Sequence, residues 1–203
     1  MNTVYAPLNL IIGYKMCKHT VFFEQIIFKY HPEYQSNAIR KWARKNPTHF
    51  NIERLIEESI AHVGGYDFID VAGKDFNDVD ESDAKTATIR ITDRKFTIAS
   101  VENKIGSLRI VLYNEMTAGV EFLYIPKGYV TMLSERCGSE SQKYKIRGTW
   151  NQEKDHFNKL HGFRVATFEE LAGMSDATYA DNQKKELQQL QLEYKRLLAC
   201  VKK

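Results

Sequence analysis

The sequence predicts an α/β protein in which a central mixed β-sheet is flanked by helices. Apolar residues recur with the helical period near both ends of the 203-residue chain, and they alternate with polar residues over much of the middle. Strands bracketed by helices indicate a sheet covered by helical layers. We divide the chain into an N-terminal helical segment (1–46), an α/β core (47–172) and a C-terminal amphipathic helix (173–203).

The composition is that of a soluble globular protein. Hydrophobic residues make up 43% of the chain and charged residues 27%, close to the average for such proteins. No apolar run approaches the roughly 20 residues that a membrane span requires, and the first residues lack the basic region and cleavage site of a signal peptide. Three widely spaced cysteines favour a reducing compartment. We therefore expect a cytoplasmic protein with no membrane partner.

Three helices are predicted ahead of the strands. The first covers Thr20 to about Tyr30 and ends before His31-Pro32, because the residue before a proline disfavours helix. The second runs from Ser36 to Arg44. The third begins after an Asn51 cap and ends at Gly64-Gly65, where glycine favours helix termination.

A short polar turn separates two segments of alternating apolar and polar residues, 83–91 and 96–104. Two alternating strands around such a turn predict a β-hairpin. The hairpin would place Asp83, at the start of the first strand, beside Glu102 and Lys104 at the end of the second. Because successive side chains point to opposite faces of a strand, Glu102 and Lys104 point the same way. We therefore expect these three side chains to converge.

Two carboxylates and one ammonium group at one end of a sheet indicate phosphodiester chemistry. Carboxylate oxygens are ligands for hard divalent cations, and a bound cation activates water for attack on phosphorus. An exposed hairpin whose charges face water is the structural alternative, and so short a motif does not decide between them. The setting favours chemistry, because further strands follow and the chain is basic, with a formal net charge of +3.

The order of these residues resembles the PD-(D/E)xK nuclease superfamily, which includes many restriction endonucleases and phage-defence nucleases. An acidic residue opens one strand, and Glu-x-Lys closes the next. The resemblance covers roughly residues 50–130, and the apolar segments 108–113 and 120–125 fit the strands that continue the sheet. It implies a restriction-endonuclease-like core. The pattern departs at Ser82, where the family often has proline, and at Asn103, where an apolar residue is usual.

The resemblance also implies roles for individual residues. Asp83 and Glu102 would ligate Mg²⁺, and Lys104 would orient the attacking water or stabilise developing charge. A glutamate from a helix before the hairpin joins the metal site in several families of the superfamily, and Glu58 is our candidate for it. Glu57 and Asp80 are alternatives that the spacing leaves open.

Cationic and aromatic residues that suit nucleic-acid contacts occur in separate parts of the chain. The second predicted helix has a basic face, and residues 134–155 mix cations with aromatic rings. Arginine's planar fork suits phosphates and guanine edges. A solvated helix face and a surface loop whose tryptophan packs on the core explain these patterns equally well. The candidate contacts are Arg40, Lys41, Lys85, Lys145, Arg147 and Trp150.

The last predicted helix, residues 180–203, carries an apolar seam. Its residues recur at alternating spacings of three and four, the pattern of a two-stranded coiled coil. A seam of about two heptads is marginal on its own. It therefore packs either on the body of the same chain or on a second copy in a homodimer. The seam consists of Leu187, Leu190, Tyr194, Leu197 and Val201.

The pattern as a whole predicts a Mg²⁺-dependent endonuclease that hydrolyses DNA, such as a type II restriction enzyme or a related phage-defence nuclease. A non-catalytic nucleic-acid-binding protein is one alternative, and it would bind without Mg²⁺-dependent cleavage. An adaptor that oligomerises through the last helix is another. The chain has no Walker loop, no Gly-x-Gly-x-x-Gly and no Gly-x-Ser-x-Gly, and its cysteines and histidines lack zinc-site spacing.

Overall fold

A computed structural model describes residues 17–71, 74–101, 106–136, 144–154 and 156–201. No helix within these ranges is both long and apolar enough to cross a lipid bilayer. The helices are α1 (Lys18–Phe22), which continues through a π-helical turn (Phe23–Ile27) into α2 (Phe28–Tyr30), then α3 (Asn37–Lys45), α4 (Ile52–Gly64), α5 (Lys127–Leu133), α6 (Phe168–Gly173) and α7 (Asp176–Val201). The strands are β1 (Phe68–Val71), β2 (Lys74–Phe76), β3 (Asp83–Ile89), β4 (Lys95–Val101), β5 (Leu108–Asn114), β6 (Gly119–Ile125), β7 (Ser134–Arg136), β8 (Tyr144–Asn151), β9 (His156–Asn158) and β10 (Arg164–Val165).

The predicted N-terminal helices are confirmed, with their local stop and start signals. The first ends at Tyr30 because His31 is extended ahead of proline. The Ser36 hydroxyl accepts a hydrogen bond from a first-turn N–H of α3, and the Asn51 side chain does the same for α4. Gly65 ends α4 in the left-handed region at φ 72°.

The first sheet has the strand order β10-β6-β5-β3 and mixes parallel and antiparallel pairs. β3 runs parallel to β5 with Asp83 opposite Leu108, whereas β5 and β6 are antiparallel. Every residue of β5 is buried, as expected for a strand covered on both faces. β3 forms one edge of this sheet. The predicted mixed sheet is thus confirmed.

The predicted hairpin between β3 and β4 is wrong. A tight turn joins the two strands, since the Arg90 N–H donates to the Lys95 carbonyl over 3.0 Å. Beyond the turn they enter different sheets: β4 pairs with β8 in a second sheet that also contains β7 and β9. Alternation shows which segments are strands, but the apolar partners available elsewhere in the chain decide their pairing.

Two hydrophobic cores cover the two faces of the first sheet. β5 supplies Val111 and Tyr113 to the core shared with the N-terminal helices, α4 and α6. It supplies Leu108, Ile110 and Leu112 to the core shared with the second sheet. The molecule therefore has a helical layer, a mixed sheet and a second sheet in succession, and residues 17–46 pack into the same core as the strands.

The helix α7 is attached to the body at its first turn and exposed beyond it. The Asp176 carboxylate accepts hydrogen bonds from Ser107 Oγ at 2.6 Å and Tyr124 Oη at 2.8 Å. The backbone N–H of Asp176 donates to the Asp80 carboxylate. Further along, four seam residues are more than half exposed, so the described part of the chain leaves the seam open. They are Leu187, Leu190, Tyr194 and Leu197.

Candidate active site

Acidic residues gather at the start of β3, where the edge of the first sheet meets β2. The Asp75 N–H donates to the Ser82 carbonyl over 3.1 Å, so β2 runs beside the incoming end of β3. The Ala84 N–H, on the unpaired edge of β3, donates to Asp75 Oδ2 at 2.8 Å. The Asp75 carboxyl thus accepts a hydrogen bond that a neighbouring strand would otherwise accept from this N–H. The same contact holds the Asp75 side chain beside Asp83.

Asp83 is buried, with 1% of its surface exposed, and forms an ion pair with Lys85. The Lys85 Nζ lies 3.0 Å from Oδ1 and 2.8 Å from Oδ2 of Asp83. The two residues are separated by one position, so their side chains lie on the same face of β3. Asp75 and Asp83 are also joined by a hydrogen bond between their carboxyl groups. Glu57, half-buried on α4, completes the group.

Carboxyl groups outnumber ammonium groups among the described residues of this group. Burial raises the pKa of Asp75, and the hydrogen bond and charge of Asp83 raise it further. Burial raises the pKa of Glu57 to about 7, with Lys85 opposing and Asp83 reinforcing the shift. Burial disfavours the charge on Lys85, but the carboxylates around it, Asp83 foremost, outweigh burial and raise its pKa. The pKa values of Asp75 and Glu57 are thus raised above those of ordinary surface carboxyl groups.

Arg109 fixes the loop 77–82, which leads into this site. The Arg109 guanidinium donates to Asp78 Oδ2 at 2.7 Å and to Ser82 Oγ at 3.0 Å. Asp78 also accepts from the Ser82 N–H at 2.8 Å. At the other side, a Cβ on Gly106 would lie 1.8 Å from the Glu81 carbonyl oxygen, so only glycine permits this close approach. Both contacts set the position at which β3 begins.

The donor set suits a hard divalent cation. Carboxylate oxygens are the ligands preferred by Mg²⁺, and the carboxyl groups of Asp75 and Asp83 lie beside each other. As they stand, no three aspartate, glutamate, histidine or cysteine side chains among the described residues surround a single point closely enough for a metal ion. Asp75, Asp83 and Glu57 are the described residues that would hold one.

The structure brings together only some of the residues predicted for the site. Asp83 lies at its centre. Glu102 and Lys104 lie outside the described residues, so their predicted roles stay predictions. The two carboxylate oxygens of Glu58 lie 2.9 Å from His31 Nε2 and 2.8 Å from Arg54 Nε. These contacts engage both carboxylate oxygens of Glu58, and its predicted role as a metal ligand stays a prediction.

The alternatives for the third acid are now distinguished by position. Glu57 interacts electrostatically with Lys85 and Asp83, whereas Asp80 accepts hydrogen bonds from Tyr124 Oη and the Asp176 N–H. Asp80 therefore anchors α7, and Glu57 is the helix residue that faces the site.

The predicted nucleic-acid contacts fall into different environments. Trp150 is only 3% exposed and packs on Phe157, so its predicted contact with bases is corrected to a role in the core. Arg40 donates to the carbonyls of Phe28 and Tyr34, which commits its guanidinium to the helix turn there. Lys41 is exposed on α3.

The remaining predicted contacts lie on strands. Arg147 is exposed on β8, and Lys145 lies two residues before it. Because they are two positions apart, their side chains lie on the same face of β8. Lys85 was predicted as a nucleic-acid contact and instead belongs to the acidic group.

Sequence reasoning missed Asp75 and the chemical role of Lys85. A local signal was present, since Asp83-Ala84-Lys85 is itself an acid-x-lysine triplet at the start of a strand. Asp75 had no comparable signal, because its place beside Asp83 depends on β2 packing along the edge of β3.

Comparisons with models of known protein families, with characterised proteins and with solved structures find no match to this chain. The class of the protein must therefore be argued from its own geometry. Fold alone does not define function, whereas the chemistry of a site does.

Proposed function

We propose that the protein is a Mg²⁺-dependent endonuclease whose active site is the acidic group at the start of β3. The observation that carries the proposal is the composition of that group: among the described residues, three buried or half-buried carboxyl groups lie around a single lysine. Strongly perturbed carboxyl groups at one place are typical of catalytic or metal-binding sites. A divalent cation is the partner that would restore balance.

The residue order supports the same proposal. Asp75 lies eight positions before Asp83, which opens the triplet Asp83-Ala84-Lys85, so an acid, a gap and an acid-x-lysine triplet occur in the order that characterises the PD-(D/E)xK nucleases. In this interpretation the triplet lies at the start of β3, and Glu57 is the acid from the preceding helix. A restriction-endonuclease-like core and a DNA substrate are parts of this proposal.

Each residue would contribute a separate function to hydrolysis. When bound, Mg²⁺ supplies Lewis acidity and a water of lowered pKa. Asp75, Asp83 and Glu57 would hold the cation through carboxylate oxygens. Lys85, fixed by its ion pair with Asp83, places an ammonium group at the site, where it can orient the attacking water and stabilise charge that develops on the phosphate oxygens. Cleavage of a phosphodiester requires both functions.

Cleavage of plasmid DNA, genomic DNA and RNA with Mg²⁺ tests the proposal. We expect Asp83→Asn and Lys85→Met each to reduce the cleavage rate about 10²- to 10³-fold, the usual effect of removing an electrostatic catalyst. Glu81→Gln is the matched control, because Glu81 lies in the adjoining loop and pairs with Lys74 at the surface. Discrete DNA fragments would indicate a restriction enzyme.

Cleavage that survives both substitutions would contradict this site. Binding of nucleic acid by the wild-type protein with no cleavage of any substrate would favour a non-catalytic binding protein.

The open seam of α7 favours a homodimer as part of this function. A stripe with alternating spacings of three and four is covered best by another helix with the same stripe, and a twofold pair of active sites would cut both strands of a duplex. Light scattering of the purified protein tests this. We expect Leu190→Glu to yield monomers and Leu192→Glu to leave dimers, since both residues are 57% exposed but Leu192 lies off the seam. A monomeric wild-type protein would contradict the proposal.

A further inference from the structure

The second sheet has one buried face and one open face. Along β4 and β8, Phe96, Ile98 and Ile146 turn inward and are at most 2% exposed. Their neighbours point the opposite way, because side chains alternate along a strand. Thr97 lies opposite Arg147 on this outer face. The outer face is therefore polar, and it is separated from the first sheet by the second sheet and the core beneath it.

Cations border a shallow groove of about 480 Å³ on this outer face. Lys95 and Arg147 project from β4 and β8, while Arg90 and Lys159 come from the adjoining turns. Glu135 is the one carboxylate among the described residues that line the groove. Positive charge thus exceeds negative charge, in contrast to the small net charge of the whole chain.

The ion pairs on this face are weak enough to exchange for another anion. Arg147 Nη1 lies 3.4 Å from Glu135 Oε2, and both side chains are more than half exposed. Arg90 pairs with Asp93 at the surface. Exposed pairs of this kind contribute little to stability. A phosphate group can therefore replace the carboxylate partners at little cost.

The turns that border the groove hold two basic residues in an unfavourable backbone conformation. Arg94 has φ 56° and Lys159 has φ 60°, a region that side chains other than glycine, asparagine and aspartate seldom adopt. Such strain is found preferentially at binding and catalytic sites. Lys159 lines the groove directly, so its ammonium group adds to the positive charge there.

We propose that the outer face of the second sheet, centred on Lys95 and Arg147, binds the phosphate backbone of a nucleic acid independently of its base sequence. The charge is complementary to a polyanion. Thr97, Thr149 and Asn158 supply neutral hydrogen-bonding groups between the cations, as backbone contacts commonly require. Among the described residues that line the groove, the aromatic ring, Phe96, is buried, so this lining exposes polar and charged groups.

This binding surface deepens the proposed function by giving the nuclease a place to hold its substrate, but it is tested without cleavage. The assay is fluorescence anisotropy with labelled 30-nucleotide single-stranded and duplex DNA of mixed sequence, in EDTA, at salt concentrations from about 50 to 200 mM. Lys95→Gln combined with Arg147→Gln is expected to weaken binding at least tenfold, by analogy with loss of phosphate contacts. The slope of log affinity against log salt should fall by about two.

Two further variants make the test specific. Glu135→Gln removes the carboxylate that competes for Arg147 and should strengthen binding severalfold. Lys185→Gln, on the exposed surface of α7, removes the same charge as Lys95→Gln away from the groove and should leave affinity unchanged. Thermal unfolding confirms that each variant is folded.

The proposal is overturned if the wild-type protein does not bind DNA at 50 mM salt, or if the double variant binds as the wild type does. It is also overturned if phosphatidylserine vesicles bind more tightly than DNA in the same buffer. A protein that cleaves DNA but shows no effect of the double substitution retains the proposed function and loses this surface. A protein that binds DNA through this surface and never cleaves it retains the surface and loses the proposed function.

Discussion

Two clusters of buried charge lie at either side of the loop 77–82, and they differ in how their charges are balanced. In the first, Arg109 is 1% exposed and donates hydrogen bonds to Asp78, Ser82 and the Leu171 carbonyl. Its guanidinium also stacks between the rings of Tyr66 and Tyr124. Burial opposes ionisation of Asp78, but hydrogen bonds from Ser82 and Arg109 outweigh it and lower its pKa.

In the second cluster, Asp83 has Lys85 as its cationic partner, while Asp75 and Glu57 add carboxyl groups that no further cation among the described residues neutralises. One arginine and one aspartate form a complete pair, so the first cluster fixes the loop. Three carboxyl groups and one lysine do not, so the pKa values of Asp75 and Glu57 are raised and, in our proposal, the second cluster binds a cation. The difference separates a structural charge network from a candidate catalytic one.

Breaking the balanced cluster should have the largest effect on stability. Arg109→Met leaves the buried Asp78 without its cation, and removal of one partner from a buried pair typically costs about 3–5 kcal/mol. Urea denaturation measures this loss. Arg44→Met is the matched control, because Arg44 forms an ion pair with Glu24 at the surface and should cost less than about 1 kcal/mol. Equal losses would contradict the structural role of Arg109.

The unbalanced cluster should make stability depend on pH in an unusual direction. A carboxyl group whose pKa is raised in the folded state contributes stability below its ordinary pKa and loses it as pH rises through the raised value. Glu57 should therefore reduce the free energy of unfolding between about pH 4.5 and 7, and Asp75 acts in the same direction. Each proton released contributes a slope of up to about 1.4 kcal/mol per pH unit.

Asp75→Asn tests this pH dependence, because it removes one titrating group while keeping an oxygen for the Ala84 N–H. Unfolding midpoints in urea between pH 4.5 and 8 should show a shallower decline for the variant than for the wild type. Parallel curves would show that Asp75 ionises as an ordinary surface carboxyl and that the cluster is not unbalanced. Asp78, whose pKa is lowered, should instead lose its contribution only as pH falls below the ordinary range.

A smaller effect distinguishes two adjacent glutamates on α4. Glu57 interacts with the acidic cluster, and Glu58 is bound by His31 and Arg54. We expect Glu57→Gln to raise the Mg²⁺ concentration that gives half-maximal cleavage about tenfold, the lower end of the effect of altering a metal site. Glu58→Gln should leave that concentration unchanged. Titration of the cleavage rate with Mg²⁺ measures both. A shift for Glu58→Gln alone would reverse the assignment.

Local signals in the sequence predict much of the fold. Asn51 and Gly65 bound α4 because a cap and a left-handed glycine act within one helical turn. Pairing of β3 with β5 was not predictable in this way, because it depends on which distant apolar strand is available. The segment 144–151, for which a surface loop was one of two interpretations, forms the strand β8, in which Trp150 packs inward.

In the candidate site, too, local signals predict some residues, and contacts between distant parts of the chain determine the others. Asp83 was identifiable because it opens a strand, and Lys85 could have been recognised two positions later on the same face. Asp75 was not, since its place depends on hydrogen bonds between β2 and the edge of β3. Glu57 and Glu58 were equivalent by helical period, and only the contacts of Glu58 with His31 and Arg54 separate them.

The most direct test of the central claim is the change in unfolding temperature on addition of Mg²⁺, compared between the wild type and Asp83→Asn. A cation at ten times its dissociation constant stabilises the folded state by about 1.4 kcal/mol, which corresponds to a rise of roughly 3–6 °C for a chain of this size. We predict that rise for the wild type and none for Asp83→Asn. Equal responses of the two proteins to Mg²⁺ would show that the acidic cluster does not bind the cation.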